Sequence, residues 1–310
     1  MTQIGDSSSG TAPPLQATLV ICTYARGDIL VKTLAQILPE VVRAGASLLV
    51  VDKQHPYPAD VTEQLTQWEA NGDLGRVVVT DAFLTGQRNI GLRKATGDVV
   101  IFIDDDVFLP PGFIEKHLHH YQDPSVAGVT GQVYHALDPE HPPELATPTQ
   151  SSRPHFSAKA LESTRSFIGC NHSVRRETAL ATGGYDEAYI GNAMTEDFDM
   201  ADRLADAGHT LLYDPEAWLI HVRAPSGGCR GATQTTWPEW TRTASLFIYF
   251  FRHAGNRGNR ALYLKNILRT GPLRKAVLQQ PCAWPSAWAG MIRGAWYGWK
   301  HRIFQPAGAK

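Results

Sequence analysis

The chain has 310 residues, 43% hydrophobic and 19% charged, which excludes a disordered polymer and leaves material for one large domain or two small ones. Its formal net charge of -1 hides a polarity: residues 230–310 carry 13 Lys+Arg against one acid, Glu239, whereas residues 1–229 carry 16 against 29. An acidic body would repel nucleic acid, so none is expected as a partner, while the basic tail points to an anionic surface such as a membrane.

In chain order, residues 1–16 are rich in Ser, Gly, Thr and Pro and are expected to form a disordered leader. No charged segment precedes an apolar run there, so no secretory signal is read. From Ala17, β-branched runs (Thr18–Cys22, Leu48–Val51, Val77–Val79, Val99–Ile103) alternate with amphipathic stretches near 28–38, 60–70 and 86–95. That alternation predicts a mostly parallel α/β sheet flanked by helices. A helix over 112–121 and a strand over 126–134 follow. Residues 136–165, rich in Pro, His and Ser, read as a long functional or disordered loop. Regular signals return at Phe167–Cys170, in helices near 176–182 and 195–207, and in a short strand Thr210–Tyr213.

The four cysteines (Cys22, Cys170, Cys229, Cys282) make neither a CxxC pair nor a zinc pattern, and Cys22 reads as a small core residue. Six of the eight tryptophans lie beyond residue 230. Trp284, Trp288, Ile292, Ala295, Trp299 and Ile303 recur at helical spacing, with Arg293 and Lys300 opposite and Arg302 near the apolar side. A basic amphipathic helix of this kind suits a membrane interface, although many apolar stripes simply pack on the body. No run approaches 18 apolar residues, so no simple spanning helix is expected.

The densest chemistry is Asp104-Asp105-Asp106, directly after the apolar run Val99–Ile103. Three carboxylates at the end of a buried strand are costly unless a cation shares their charge, and oxygen donors suit Mg²⁺ or Mn²⁺. In open α/β sheets, ligands bind at the carboxyl ends of the strands. Thr23-Tyr24-Ala25-Arg26, Asp52 and Gly86-Gln87-Arg88-Asn89 are expected at the same rim, together describing a pocket for a metal and a nucleotide diphosphate.

These segments resemble glycosyltransferase family 2, whose members have the GT-A fold and transfer sugars from nucleotide diphosphates with inversion. The resemblance runs through Val20–Arg26, Leu49–Asp52, Gln87–Leu92, Ala95–Asp98, Ile103–Asp106, Gly169–Arg176, Gly183–Glu187 and Thr195–Met200, covering roughly residues 17–229. It implies a nucleotide-sugar half near 17–135 and an acceptor half near 136–229; the charge and tryptophan pattern sets apart a helical, basic, Trp-rich region over 230–310.

The resemblance also implies roles. Thr23, Tyr24 and Arg26 would line the nucleotide pocket, Asp52 would contact the base, and Arg88 would face base or diphosphate. Asp104 would reach ribose or sugar, with Asp105 beside it. Asp106 would hold Mn²⁺ or Mg²⁺ with Asp104, and His221 matches a histidine that completes this site in some GT-A enzymes. Whether Asp105 or Asp106 is the main ligand stays open. In Glu196-Asp197, Asp197 is the expected base that deprotonates the acceptor hydroxyl. Asn171, His172 and Asp186 would line the acceptor side.

The implied donor is a nucleotide-diphosphate sugar, a UDP-sugar first, and the implied acceptor a saccharide or lipid-linked saccharide. The expected location is cytoplasmic, on the inner face of the cell membrane. Lys53-Gln54-His55-Pro56 departs from the short polar run common in the family, which leaves base recognition open. Two competitors are a sugar-phosphate nucleotidyltransferase and a catalytically silent nucleotide-sugar-binding scaffold. The first would carry a Gly-rich loop where Thr23–Arg26 stands, and the second broken carboxylate motifs; neither is found.

Overall fold

The computed structural model describes residues 14–136, 146–148, 158–224, 239–254 and 260–306. Most of the leader and most of the 136–165 loop lie outside the described residues. The body is built on one sheet. Parallel strands β1 (Ala17–Tyr24), β2 (Ser47–Lys53), β3 (Gly75–Val79) and β4 (Val99–Ile103) are joined by helices α1 (Gly27–Arg43), α2 (Ala59–Asn71) and α3 (Leu84–Lys94). After β4 come β5 (Val107–Phe108), α4 (Phe113–His119), β6 (Val126–Ala136), β7 (Ala146–Pro148) and β8 (Glu162–Ser163). Then follow β9 (Asn171–Arg175), α5 (Arg176–Ala181), α6 (Glu196–Asp206) and β10 (Thr210–His221).

The strand order is β3-β2-β1-β4-β9-β6-β10-β5, with β7 on β6 and β8 on β10. Strand β9 runs antiparallel to both β4 and β6, so it reverses the direction of the otherwise parallel centre. Val99 to Phe102 are at most 1% exposed, as a strand covered by helices on both faces requires. Apolar clusters fill both sides of the sheet, one under α1 and α4, the other under α3, α5 and α6.

Two expectations change. Phe167–Cys170 holds only a bridge at Ile168, and the strand proper begins at Asn171. The short strand at Thr210 continues to His221, through a bulge at Asp214–Leu219 where its register with β6 shifts. A Cβ on Gly131 would meet the Ala217 carbonyl oxygen at 1.6 Å, so only glycine lets β6 pass that bulge. The extension matters because it carries His221 to the rim where β4 ends.

Helices α7 (Glu239–Tyr249), α8 (Arg260–Thr270), α9 (Lys275–Leu278) and α10 (Trp284–Lys300) make up the basic region, with a π-helical turn over Phe250–Ala254. Helix α10 packs on α7 through small residues. A Cβ on Gly294 would lie 2.8 Å from Thr243 Cβ, and one on Gly298 2.5 Å from Phe247 Cβ. The tryptophan stripe therefore faces away. Trp284, Trp288, Ile292, Trp296, Trp299 and Ile303 are 40–71% exposed.

Candidate active site

The carboxyl ends of β1, β2 and β4 converge as the parallel order requires. Asp105 points inward: its carboxylate accepts Thr23 Oγ1 and Arg26 Nη1, each at 2.6 Å, and its carbonyl accepts Thr33 Oγ1 at 2.8 Å. Burial pushes the Asp105 carboxyl up to about 6, against the pull of Arg26. Asp106 is 1% exposed, and its Oδ2 accepts the Ala224 N–H at 2.9 Å. Asp106 Oδ1 has no hydrogen-bond partner among the described residues and lies 3.3 Å from His221 Nε2. Asp104 Oδ2 lies at the same distance from that nitrogen. Burial raises Asp106 despite His221, whereas in Asp104 burial is outweighed by His221 together with Arg88 and Arg26, which hold the carboxyl below its usual range.

An orphaned, buried carboxylate oxygen beside a second carboxylate and an imidazole is a donor set suited to a divalent cation. Asp104, Asp106 and His221 thus fit the expected metal site, and Asp105, tied to Thr23 and Arg26, does not. One further donor stands there. The ligand atoms of Asp104, His221 and Cys170 all lie within 4.8 Å of one another.

Asp52 is buried, its carboxylate accepting Tyr57 Oη at 2.8 Å and Arg76 Nη2 at 2.6 Å. Around it gather Tyr24, His55 and Tyr57 in edge-on ring contacts, with Lys53 Nζ 5.5 Å from the rings of both Tyr24 and Phe83. The departure at Lys53–Pro56 therefore builds an aromatic and cationic wall beside Asp52.

Arg88 is placed differently from expectation. It is 3% exposed and its guanidinium is spent on Glu196 and on the Gly169 carbonyl, the latter at 2.9 Å. It lies over the rings of Tyr185 and Phe102 as well. A buried guanidinium needs a counter-charge, and Glu196 supplies it. The expected contact with base or diphosphate is replaced by a clasp between α3 and α6. Burial, and then the charge of Asp197, push the Glu196 carboxyl upward, and the Arg88 guanidinium opposes them.

Asp197 is the half-exposed member of the pair. It stands in the first turn of α6, where the helix dipole favours negative charge. Its Oδ1 accepts the Phe198 N–H at 2.9 Å, which satisfies one open amide of that turn, while Thr195 makes no side-chain cap hydrogen bond. The approach is strained: Ala193 and Thr195 have φ of 47° and 71°. Left-handed non-glycine residues are costly and concentrate at functional sites. A Cβ on Gly169 would lie 3.3 Å from both Arg88 Nη2 and Asp197 Oδ2. So the Gly169-Cys170 turn has the acid pair of α6 on one side and the carboxylate–histidine cluster on the other.

The three residues expected on the acceptor side are buried and bonded to the protein. Asn171 Nδ2 donates to the carbonyls of Gln132 and Ala217. His172 stacks between Phe102 and Phe167 and bonds Tyr185 Oη. Asp186 pairs with Arg252. All three polar groups are held by protein partners. Sequence reasoning missed Arg252 altogether. From the π-helical turn it pairs with Asp186 and, at 3.1 Å, with Asp199 of α6, and it donates to the His301 carbonyl. Burial works to keep Asp199 neutral, but its bond to His253 and the charges of Arg203 and Arg252 hold it well below the usual carboxylate range.

Residues 18–180 match the family model "Glycosyl transferase family 2". The chain belongs to glycosyl transferase family 2. It is 34% identical over 138 residues to the pre-mycofactocin glycosyltransferase of Mycobacterium tuberculosis, a match covering 43% of this chain and 29% of that protein. With the succinoglycan biosynthesis protein ExoM of Rhizobium meliloti it shares 27% identity over 214 residues, 68% of each chain. In fold it is similar to the mannosyltransferase PcManGT of Pyrobaculum calidifontis, solved with GDP-Man and Mn²⁺. That likeness has a TM-score of 0.54 and 20% identity, covering 91% of this chain and 76% of the other.

Proposed function

We propose that this family 2 protein is a metal-dependent, inverting glycosyltransferase. It takes a sugar from a nucleotide diphosphate, a UDP-sugar first, and delivers it to a hydroxyl of a saccharide or lipid-linked saccharide. The observation that carries the reading is the pairing of two carboxylate sets across the Gly169-Cys170 turn. One set has a cation-ready arrangement, and the other offers a half-exposed acid at a helix start.

Asp104, Asp106 and His221 would hold Mn²⁺ or Mg²⁺, which when bound neutralises the charge of a departing diphosphate. The other roles fall to the chain itself. Arg26, already paired with Asp105 and Asp106, stands where diphosphate charge would enter. Tyr24, Lys53, His55 and Tyr57, with Asp52, offer a wall for the nucleoside. Asp197 Oδ2 takes the proton of the acceptor hydroxyl as that oxygen attacks the anomeric carbon from the face opposite the diphosphate. Arg88, holding Glu196, fixes the height of Asp197.

No helix among the described residues is long and apolar enough to cross a membrane. The exposed tryptophan face of α10, with the 13 basic residues of the region, favours peripheral attachment to an anionic bilayer on its cytoplasmic face. A lipid-linked acceptor would be met there. The test is release of nucleoside diphosphate from a panel of nucleotide sugars, in the presence of lipid extract and Mn²⁺, with the anomeric configuration of the product read by NMR. Inversion at the transferred sugar is expected. Retention of configuration, or no turnover of any donor, would reject the reading.

A further inference from the structure

We propose that Cys170 is itself a ligand of the cation, so that the centre has oxygen, nitrogen and sulfur donors and selects softer metals than a carboxylate site would. This rests on the metal-dependent reading above and adds to it a residue with no spacing signal in the sequence.

Three separate strand ends bring the donors together. Asp104 follows β4, Cys170 directly precedes β9, and His221 ends β10. Their ligand atoms all lie within 4.8 Å of one another, close enough for modest side-chain rotation to bring them onto one ion at bonds of about 2.0–2.3 Å. All three residues are partly exposed, so an ion can reach them from solvent. Asp106 gives the independent sign. Its Oδ1 is buried, has no hydrogen bond among the described residues, and lies 3.3 Å from Nε2 of His221, the imidazole of that cluster. Cys170 is a free thiol whose other flank packs on the core under the sheet.

The chemistry follows from the donor. On binding, the thiol loses its proton to solvent and the sulfur takes the metal in its place. Thiolate favours Co²⁺, Zn²⁺ and Cd²⁺, whereas Mg²⁺ gains little from sulfur. The centre should then rank metals by softness, and Zn²⁺ or Cd²⁺ should displace Mg²⁺.

The experiment is a Co²⁺ titration of the full chain, stripped of metal and kept without oxygen, read by near-ultraviolet and visible absorption. A thiolate-to-cobalt charge-transfer band should grow with one equivalent of Co²⁺. It should persist in a variant whose only cysteine is Cys170 and vanish in Cys170→Ser and Cys170→Ala, both checked for native circular dichroism. In those two variants the visible cobalt bands should remain, and Cd²⁺ affinity should fall by about tenfold or more relative to Mg²⁺. Visible bands without the near-ultraviolet band in the unmodified chain would overturn the role of Cys170 and leave the metal site standing. A band that survives in Cys170→Ala would overturn it too. Absence of any cobalt binding would overturn both readings.

Discussion

Arg88 and Glu196 form a buried ion pair that ties the helix after β3 to the helix carrying Asp197. Their side chains are 4% and 6% exposed. Removing one partner leaves the other charged and unpaired in the core, which typically costs about 3–5 kcal/mol. Arg88→Ala or Glu196→Ala should lower unfolding free energy in urea by that order. Arg88→Met with Glu196→Leu should recover much of it, because the desolvation cost disappears with the charges. Activity should not return with stability, since α6 then loses its register against α3.

Asp197→Asn removes the base and keeps the size of the side chain. Donor affinity should stay within about twofold, while transfer falls by about 10²–10⁴, the usual worth of a positioned base. Titration calorimetry and product assays on the same preparation check this. Transfer near the unmodified rate would move the role to another group.

His117 is fully buried, with Ser173 Oγ at 2.9 Å and Asn171 Oδ1 at 3.1 Å from its ring nitrogens. Burial pushes it down to about 4. The unfolded chain titrates near 6.5, so below that pH it binds more protons than the fold does. Stability supplied by the neutral ring is therefore complete above about pH 6.5 and lost as pH falls through 4. The loss is on the order of 3 kcal/mol. In His117→Gln the urea midpoint should fall less steeply between those pH values than in the unmodified protein.

The face of α10 bearing Trp288, Ile292 and Trp299 should bind vesicles containing anionic lipid and release them as salt rises, since each basic residue near the surface adds about 1 kcal/mol. Replacing Trp288 and Trp299 by Ser should abolish co-sedimentation without altering the far-ultraviolet spectrum, because both project away from the Gly294–Gly298 contact.

Much of this was legible in the chain because the signals were local. Strand β4 reads from five apolar residues, and the carboxylates stand directly after it. The placement of Asp52, Asp106 and Asp197 near strand or helix ends likewise follows from periodicity and the family pattern. The failures share a different cause. The resemblance implied that Arg88 faces base or diphosphate, and nothing local in α3 marks that position as buried. Its burial depends on Glu196 and Tyr185, roughly a hundred residues away. Asn171, His172 and Asp186 are polar residues whose partners also come from distant strands and from Arg252. Cys170 has no spacing motif, since β4 and β10 supply its neighbours only after folding. The two sides of α10 were resolved by its glycines, whose stripe carried no weight beside the tryptophans.

The most direct test of metal-dependent donor binding is a thermal-shift screen of UDP-, GDP-, dTDP- and CMP-sugars, each with and without Mn²⁺, on the unmodified protein and on Asp106→Ala. A ligand at a hundredfold excess over Kd stabilises the native state by about 2.7 kcal/mol, a readily measured rise in melting temperature. The account predicts a rise for one nucleotide class, only with Mn²⁺, and lost in Asp106→Ala. No rise with any donor from the folded protein, or an equal rise without the metal, would contradict it.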